Sequence, residues 1–173
     1  MKTIGTLFLF AITTSLMACA QNPSEADDRG GVIEPVSTPI MVEALYAGVR
    51  CGRAESGAKA SWILDAVQLQ SFYNGFRKEE VPIVDFDRTR VVLLEMGQRS
   101  TLGYRLALAN TQARIIEERA EVLLEWVAPG RGMMVGQMLT SPCLLLKLER
   151  GAYHQVAFKN SAGVEKMVLN TPQ

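Results

Sequence analysis

From Val81 onward, apolar residues recur at every second position, the period of a half-buried strand. Tyr104, Leu106 and Leu108 share one face, and Val122, Leu124 and Trp126 share a face opposite Leu123, Glu125 and Val127. Val91 to Met96 and Cys143 to Leu148 are continuous apolar runs of the kind a doubly covered strand shows. Arg114 to Arg119, Met133 to Leu139, Tyr153 to Phe158 and Val164 to Leu169 complete this set of expected strands, with a hairpin turn expected at Glu118 to Glu121. Upstream, Ile40 to Ala47 and Trp62-Ile63-Leu64 read as two more strands. Between them and Val81 the period changes. Leu69, Phe72, Tyr73 and Phe76 stand at i, i+3, i+4 and i+7, the stripe of a short helix, with Asp65 as its N-cap and Gly75 weakening its end. Many short strands and one short helix predict a mainly β domain, a small antiparallel sandwich or barrel.

The N-terminus follows a different pattern. Lys2 precedes an apolar run from Ile4 to Met17 that is too short for a comfortable membrane span and suits the h-region of a signal peptide. The run ends in Leu16-Met17-Ala18-Cys19, which resembles a bacterial lipobox. The resemblance implies cleavage between Ala18 and Cys19 and acylation of the Cys19 thiol, anchoring the chain in a membrane through its acyl chains. The other reading is an ordinary secretory signal cleaved near Ala18 or Ala20, with Cys19 incidental. Ala20 after the cysteine resembles the non-Asp class sorted to the outer membrane, facing the periplasm. Gln21 to Pro39 is rich in Asn, Pro, Ser, Glu, Asp and Gly and reads as a flexible tether, in which Asp27-Asp28 serves solvation. The expected layout is therefore a signal peptide over 1–18, a lipidated tether over 19–39 and one β-rich domain over 40–173.

Charge narrows the partners. Lys+Arg and Asp+Glu are 18 each, and no basic run occurs, so the chain carries no electrostatic footprint for nucleic acid or anionic lipid. Of the three cysteines, lipidation consumes Cys19 and leaves Cys51 and Cys143. An even pair in an oxidising compartment is usually bridged, which makes Cys51–Cys143 a candidate disulfide; two separate small core residues are the alternative.

The stretch from Val84 to Phe158 resembles the PrcB C-terminal domain family. Val84-Asp85-Phe86 precedes the strand Val91 to Met96; Gly97-Gln98-Arg99-Ser100-Thr101-Leu102-Gly103-Tyr104 is similar to the family's Gly…Thr-Gly-Gly-Tyr turn, with Leu102 where the family has Gly. Pro129-Gly130-Arg131-Gly132 with Gln137 is similar to its Pro-Gly loop and following strand, and Ser141-Pro142 to its Ser/Tyr-Pro pair. The resemblance implies a small non-catalytic β domain that helps form or stabilise a protease complex. A second similarity joins Ser100-Thr101-Leu102-Gly103-Tyr104 and Gly130-Arg131-Gly132 to two loops of chagasin-type inhibitors of cysteine proteases. Their third, Arg-Pro-Trp, loop has no counterpart, because Trp126 lies in an expected strand and Trp62 far upstream.

The residues offer little for catalysis. His154 is the only histidine, a poor start for a triad or a zinc site. Ser100 and Thr101 lack both a base at known distance and a Gly-x-Ser-x-Gly elbow. Asp85 and Asp87 suit either a calcium corner or an Asx turn before a strand. Phosphate-loop, dinucleotide and Cys-x-x-Cys motifs do not occur. The expectation is a protein-binding module, neither enzyme nor cofactor or metal carrier, with Ser100, Thr101, Gly103, Tyr104, Pro129, Gly130, Arg131 and Gly132 as candidate contacts. The competing reading gives the glycines to turns and Tyr104 and Met133 to the core. Whether the two loops meet depends on the strands between them. A simple meander through 104–109, 114–119 and 122–127 puts them at opposite ends, and convergence needs the middle pair to be one bent strand.

Lipidation has a direct test: Cys19→Ser should leave an unprocessed or soluble product. An unmodified N-terminus beginning after Cys19 in the wild-type protein, read by mass spectrometry, would contradict the lipobox reading.

Overall fold

The structure is a computed structural model that describes residues 36–52, 55–75 and 80–172. The expected signal peptide, Cys19 and most of the tether, Asp27-Asp28 included, lie outside the described residues, as does Phe76.

The described chain forms nine strands and one helix: β1 Thr38–Gly48, β2 Lys59–Ile63, α1 Ala66–Asn74, β3 Thr89–Glu95, β4 Arg105–Leu108, β5 Gln112–Ile116, β6 Arg119–Val127, β7 Cys143–Glu149, β8 Gln155–Asn160 and β9 Glu165–Asn170. They form one sheet in the order β2-β3-β7-β1-β5-β6-β8-β9, with β4 paired to β6. All neighbours are antiparallel except β6 and β8. The sheet curls into a nearly closed barrel, in line with the expected fold class. Its terminal strands β2 and β9 meet where the Trp62 indole N–H donates to the Asn170 carbonyl at 2.6 Å.

β1 lets the sheet curl. Its first residues, Thr38 to Met41, pair with β5, and Val42 to Gly48 pair with β7 on the other edge. One extra residue between Ala44 and Tyr46 makes a bulge, which bends and twists a strand locally. Leu45 and Tyr46 both pack into the cluster under α1, where the Tyr73 hydroxyl donates to the Leu45 carbonyl at 3.1 Å.

The core has two compartments. Val92, Leu94, Leu144, Leu146 and Leu148 point into the barrel with Val122, Leu124, Val156 and Phe158. On the other face of β3 and β7, Val91, Leu93, Cys143 and Leu145 lie beneath Leu69 and Tyr73 of α1. β3 and β7 are thus covered on both sides, which is why their sequences run apolar without alternation. Burying each such Leu or Val contributes about 1.5–3 kcal/mol. The helix starts where the Asp65 carboxylate accepts from the Gln68 N–H at 2.8 Å, while the Gln68 side chain accepts from the Leu64 N–H at 3.1 Å. Tyr153 lies just before β8, fully buried, its hydroxyl donating to the Glu149 carbonyl at 3.0 Å. Burial pushes its pKa up, against the pull of the Arg90 guanidinium over its ring.

Two expected elements differ. Met133 to Leu139 is not a strand: Met133, Met134, Met138 and Leu139 are exposed, so the segment has no buried face to drive alternation. The hairpin turn is at Glu117-Glu118, and Arg119 to Glu121 already belong to β6. Both turn residues have positive φ, 49° and 62°, as the two-residue type I′ turn between Ile116 and Arg119 requires. Asn and Gly favour that conformation and Glu does not, so the turn was hidden from pattern reading. The His154 N–H pins it by donating to the Glu118 carbonyl at 2.8 Å.

The strain at this turn is removable. Glu117→Asn with Glu118→Gly should raise stability by about 1 kcal/mol, read as a higher urea midpoint at unchanged slope. An unchanged or lower midpoint would mean that the two glutamates contribute contacts that outweigh their backbone strain.

Candidate functional site

Because strands pair in fixed register, the ends of the barrel can be read from the ladders. Gly48 and Glu95 both face Cys143, Lys59 faces Glu95, and Arg105 faces Val127. The loops after β3 and β6 therefore leave the same end, the one at which β1 finishes. The reason is the bent strand that convergence needed. β4 and β5 lie along the same edge of β6, β4 against Leu124 to Val127 and β5 against Arg119 to Glu121. The break between them is an Asx turn, with the Asn110 side chain accepting from the Gln112 N–H at 3.0 Å. A bent strand and β6 make one long hairpin, so its two open ends fall together.

The first loop is hydrogen-bonded to residues 136–140, the part of the connector after β6 that follows the Pro129 to Met134 loop. Arg99 and Thr140 exchange backbone bonds at 2.8 and 2.9 Å, and the Leu102 N–H donates to the Gly136 carbonyl at 3.0 Å. The buried Thr140 hydroxyl donates to the Thr101 carbonyl at 3.1 Å. Gly103, at φ +94°, is closely approached: an added Cβ would lie 3.2 Å from Cβ of Pro129 and 3.5 Å from Val135. Gly97, at φ +79°, is tighter still, since a Cβ there would be 2.5 Å from the Gly57 carbonyl. Its neighbour Gln98 donates from its N–H to the Glu55 carbonyl at 2.7 Å. Gly130 to Met133 is a turn closed by the Met133 N–H on the Gly130 carbonyl at 3.2 Å, with Gly132 supplying the positive φ of 79° at its third position. Arg131 sits exposed at the tip.

The disulfide ties this platform to the barrel. Cys51 and Cys143 are bridged, with Cα atoms 6.0 Å apart and a sequence separation of 92. Chain entropy for such a loop suggests up to about 4.5 kcal/mol of stabilisation. Beside the bridge, the Cys51 N–H donates to the Ser141 carbonyl and the Ser141 N–H to the Val49 carbonyl, at 3.0 and 2.8 Å.

The candidates divide by what they touch. Tyr104 is half-buried against the barrel core, with the Arg99 guanidinium 5.4 Å above its ring, so it serves packing. Arg99 is held in turn by donating to the Met96 carbonyl at 2.7 Å. Met133, by contrast, is 64% exposed and does not join the core. Ser100 is exposed, Thr101 presents its carbonyl to Thr140, and the glycines shape the turns. Pattern reading missed Leu102, Met138 and Leu139, which are exposed on the same surface, and Arg50, whose guanidinium lies 3.4 Å from the Met138 sulfur. Three methionines within six residues around Gly136 were the available signal. His154 lies at the opposite end, 3.8 Å from Glu118 and away from Ser100 and Thr101. Asp85 makes the Asx turn, accepting from the Asp87 N–H at 3.0 Å, and the described residues hold no cluster of metal-ligating side chains.

Residues 90–149 match the family model of the PrcB C-terminal domain. The match lies within the Val84 to Phe158 span of the resemblance and runs from β3 through β7. It therefore includes both loops, the bent strand and the buried strands that carry them. The family is associated with protease complexes and is not known as catalytic. No curated protein and no solved structure matches the chain.

Two glycines of the PrcB-like platform should respond differently to substitution. Gly97→Ala forces a Cβ onto backbone and should cost more than about 2 kcal/mol, whereas Gly132→Ala meets open space and should cost about 1 kcal/mol from positive φ alone. Equal losses in urea unfolding would mean that the packing of Gly97 on the Ser56-Gly57 backbone is not as described.

Proposed function

We propose that this protein is a non-catalytic, lipid-anchored module of the bacterial cell envelope that binds a protein partner, and that the partner belongs to a protease complex. The observation that carries the reading is that the Gly97 to Tyr104 loop and the connector after β6, which begins with the other family-like loop, form one hydrogen-bonded platform with an exposed apolar rim. Loops held by a rigid scaffold are where β domains place their contacts. Methionine side chains suit such a rim because they adapt to the surface they meet. The anchor rests on the lipobox-like Leu16-Met17-Ala18-Cys19, and the residue after it favours the outer membrane, facing the periplasm. In this reading Arg131, Met133 and Met134 are contacts, and Gly103, Pro129, Gly130 and Gly132 hold the platform's shape.

A chagasin-like inhibitor presented from the membrane draws on the same adjacency of Ser100 to Tyr104 and Gly130 to Gly132. Its Trp loop still has no counterpart: Trp62 bonds to Asn170, and Trp126 packs on the core beneath the Lys166 ammonium, 5.9 Å from its ring. Stoichiometric loss of papain activity would favour the inhibitor.

The test is affinity capture of the acylated protein from membranes, with Arg131→Ala and Met133→Ala compared after circular dichroism has confirmed folding. The expected result is co-purification of a protease-complex component with wild type and its loss from both variants. Variants that fold and retain the partner in full would move the contact elsewhere.

A further inference from the structure

We infer that the platform recognises an extended protein segment whose apolar residues are flanked by carboxylates. This deepens the proposed function and rests on its reading of the platform as the contact surface. The connector from Arg131 to Thr140 runs along the rim and exposes, in order, Arg131, Met133, Met134, Met138 and Leu139. Arg50 stands at the far end of this strip against the Met138 sulfur. A guanidinium thus closes each end of an apolar row.

Neither cation has a carboxylate within ion-pair distance among the described residues. Five other cations of the described residues are ion-paired, Arg88 with Asp85, Arg105 with Glu125, Arg119 with Glu165, Lys147 with Glu43 and Lys159 with Glu121, while Arg99 and Arg150 are held by backbone carbonyls. Arginine forms bidentate, directional bonds to carboxylates and is weakly hydrated, so two such guanidiniums bordering apolar surface, Arg50 and Arg131, fit an acidic partner. The spacing sets the partner's length. Arg131 and Met138 stand seven positions apart, which bounds their separation at roughly 25 Å, so an extended partner segment of up to about seven residues reaches both. The backbone from Met133 to Leu139 belongs to no ladder, so an extended segment can lie along it without displacing a strand.

The test uses the full-length protein in mild detergent and two fluorescent synthetic nonapeptides with the same Val/Leu centre. One has paired Asp at both ends and the other paired Lys, and anisotropy reads binding. The Asp-flanked peptide should bind about tenfold or more tighter than the Lys-flanked one, and Arg50→Glu with Arg131→Glu should reverse the order. Arg131→Glu alone, in an exposed turn, should narrow the difference and serves if the double variant does not fold. Met133→Ser with Met134→Ser should weaken both peptides. Equal binding of the two peptides, an order unchanged by charge reversal, or no binding of either at millimolar concentration overturns the inference. If partner capture by the wild type still depends on Arg131 and Met133, that failure removes the acidic chemistry alone; if capture does not depend on them, the platform reading itself has failed.

Discussion

The constraint on which this structure depends is a strand covered on both faces from Cys143 to Leu146. β7 is hydrogen-bonded on one edge to β3 and on the other to β1, and is covered above and below. Leu144, Leu146 and Leu148 fix its inner face in the barrel, and Cys143 and Leu145 fix its outer face under α1. A slip of one residue would exchange the two sets and put Lys147 in the barrel. Register is thus specified from both sides, and the elements attached to β7 inherit it. The platform begins immediately before Cys143, so its Thr140 and Ser141 are placed by the same register.

Much of this was legible in the sequence because burial writes itself as periodicity. The alternation of Val122, Leu124 and Trp126, the stripe of Leu69 and Tyr73 and the run from Val91 to Met96 each record which face is covered. The Asp65 cap and the cysteine pairing were also legible, because each follows from local chemistry or from parity. What was not legible has a common cause: the deciding interaction leaves no periodic trace. Met133 to Leu139 is apolar but exposed, and composition cannot tell an exposed methionine from a buried one. The Glu117-Glu118 turn adopts a conformation that glutamate disfavours and is held by His154, which lies just before β8. The crossing of β1 between two partners depends on one bulged residue.

The convergence of the loops illustrates how a small local feature changes a functional reading. Three separate strands between Tyr104 and Val127 would carry the Gly97 and Pro129 loops apart. The Asx turn at Asn110 merges the first two into one line along β6, and the loops become neighbours. From there Thr140, Gly103 and Gly136 complete the union through contacts that need no unusual chemistry. The candidate surface is therefore a property of the fold's connectivity as much as of the residues displayed on it.

β1 also gives the domain a mechanical axis. The chain enters at Thr38, and β1 ends at Gly48 beside the platform, close to Cys51. A pull between Thr38 and the platform is directed along this strand. The ladder bonds to β5 and β7 lie across that direction, so they resist together, in shear, and are not opened one after another. At the end of the strand the Cys51–Cys143 bridge passes the load covalently into β7, the best-buried strand of the barrel. The geometry suits a domain that is pulled between these two points.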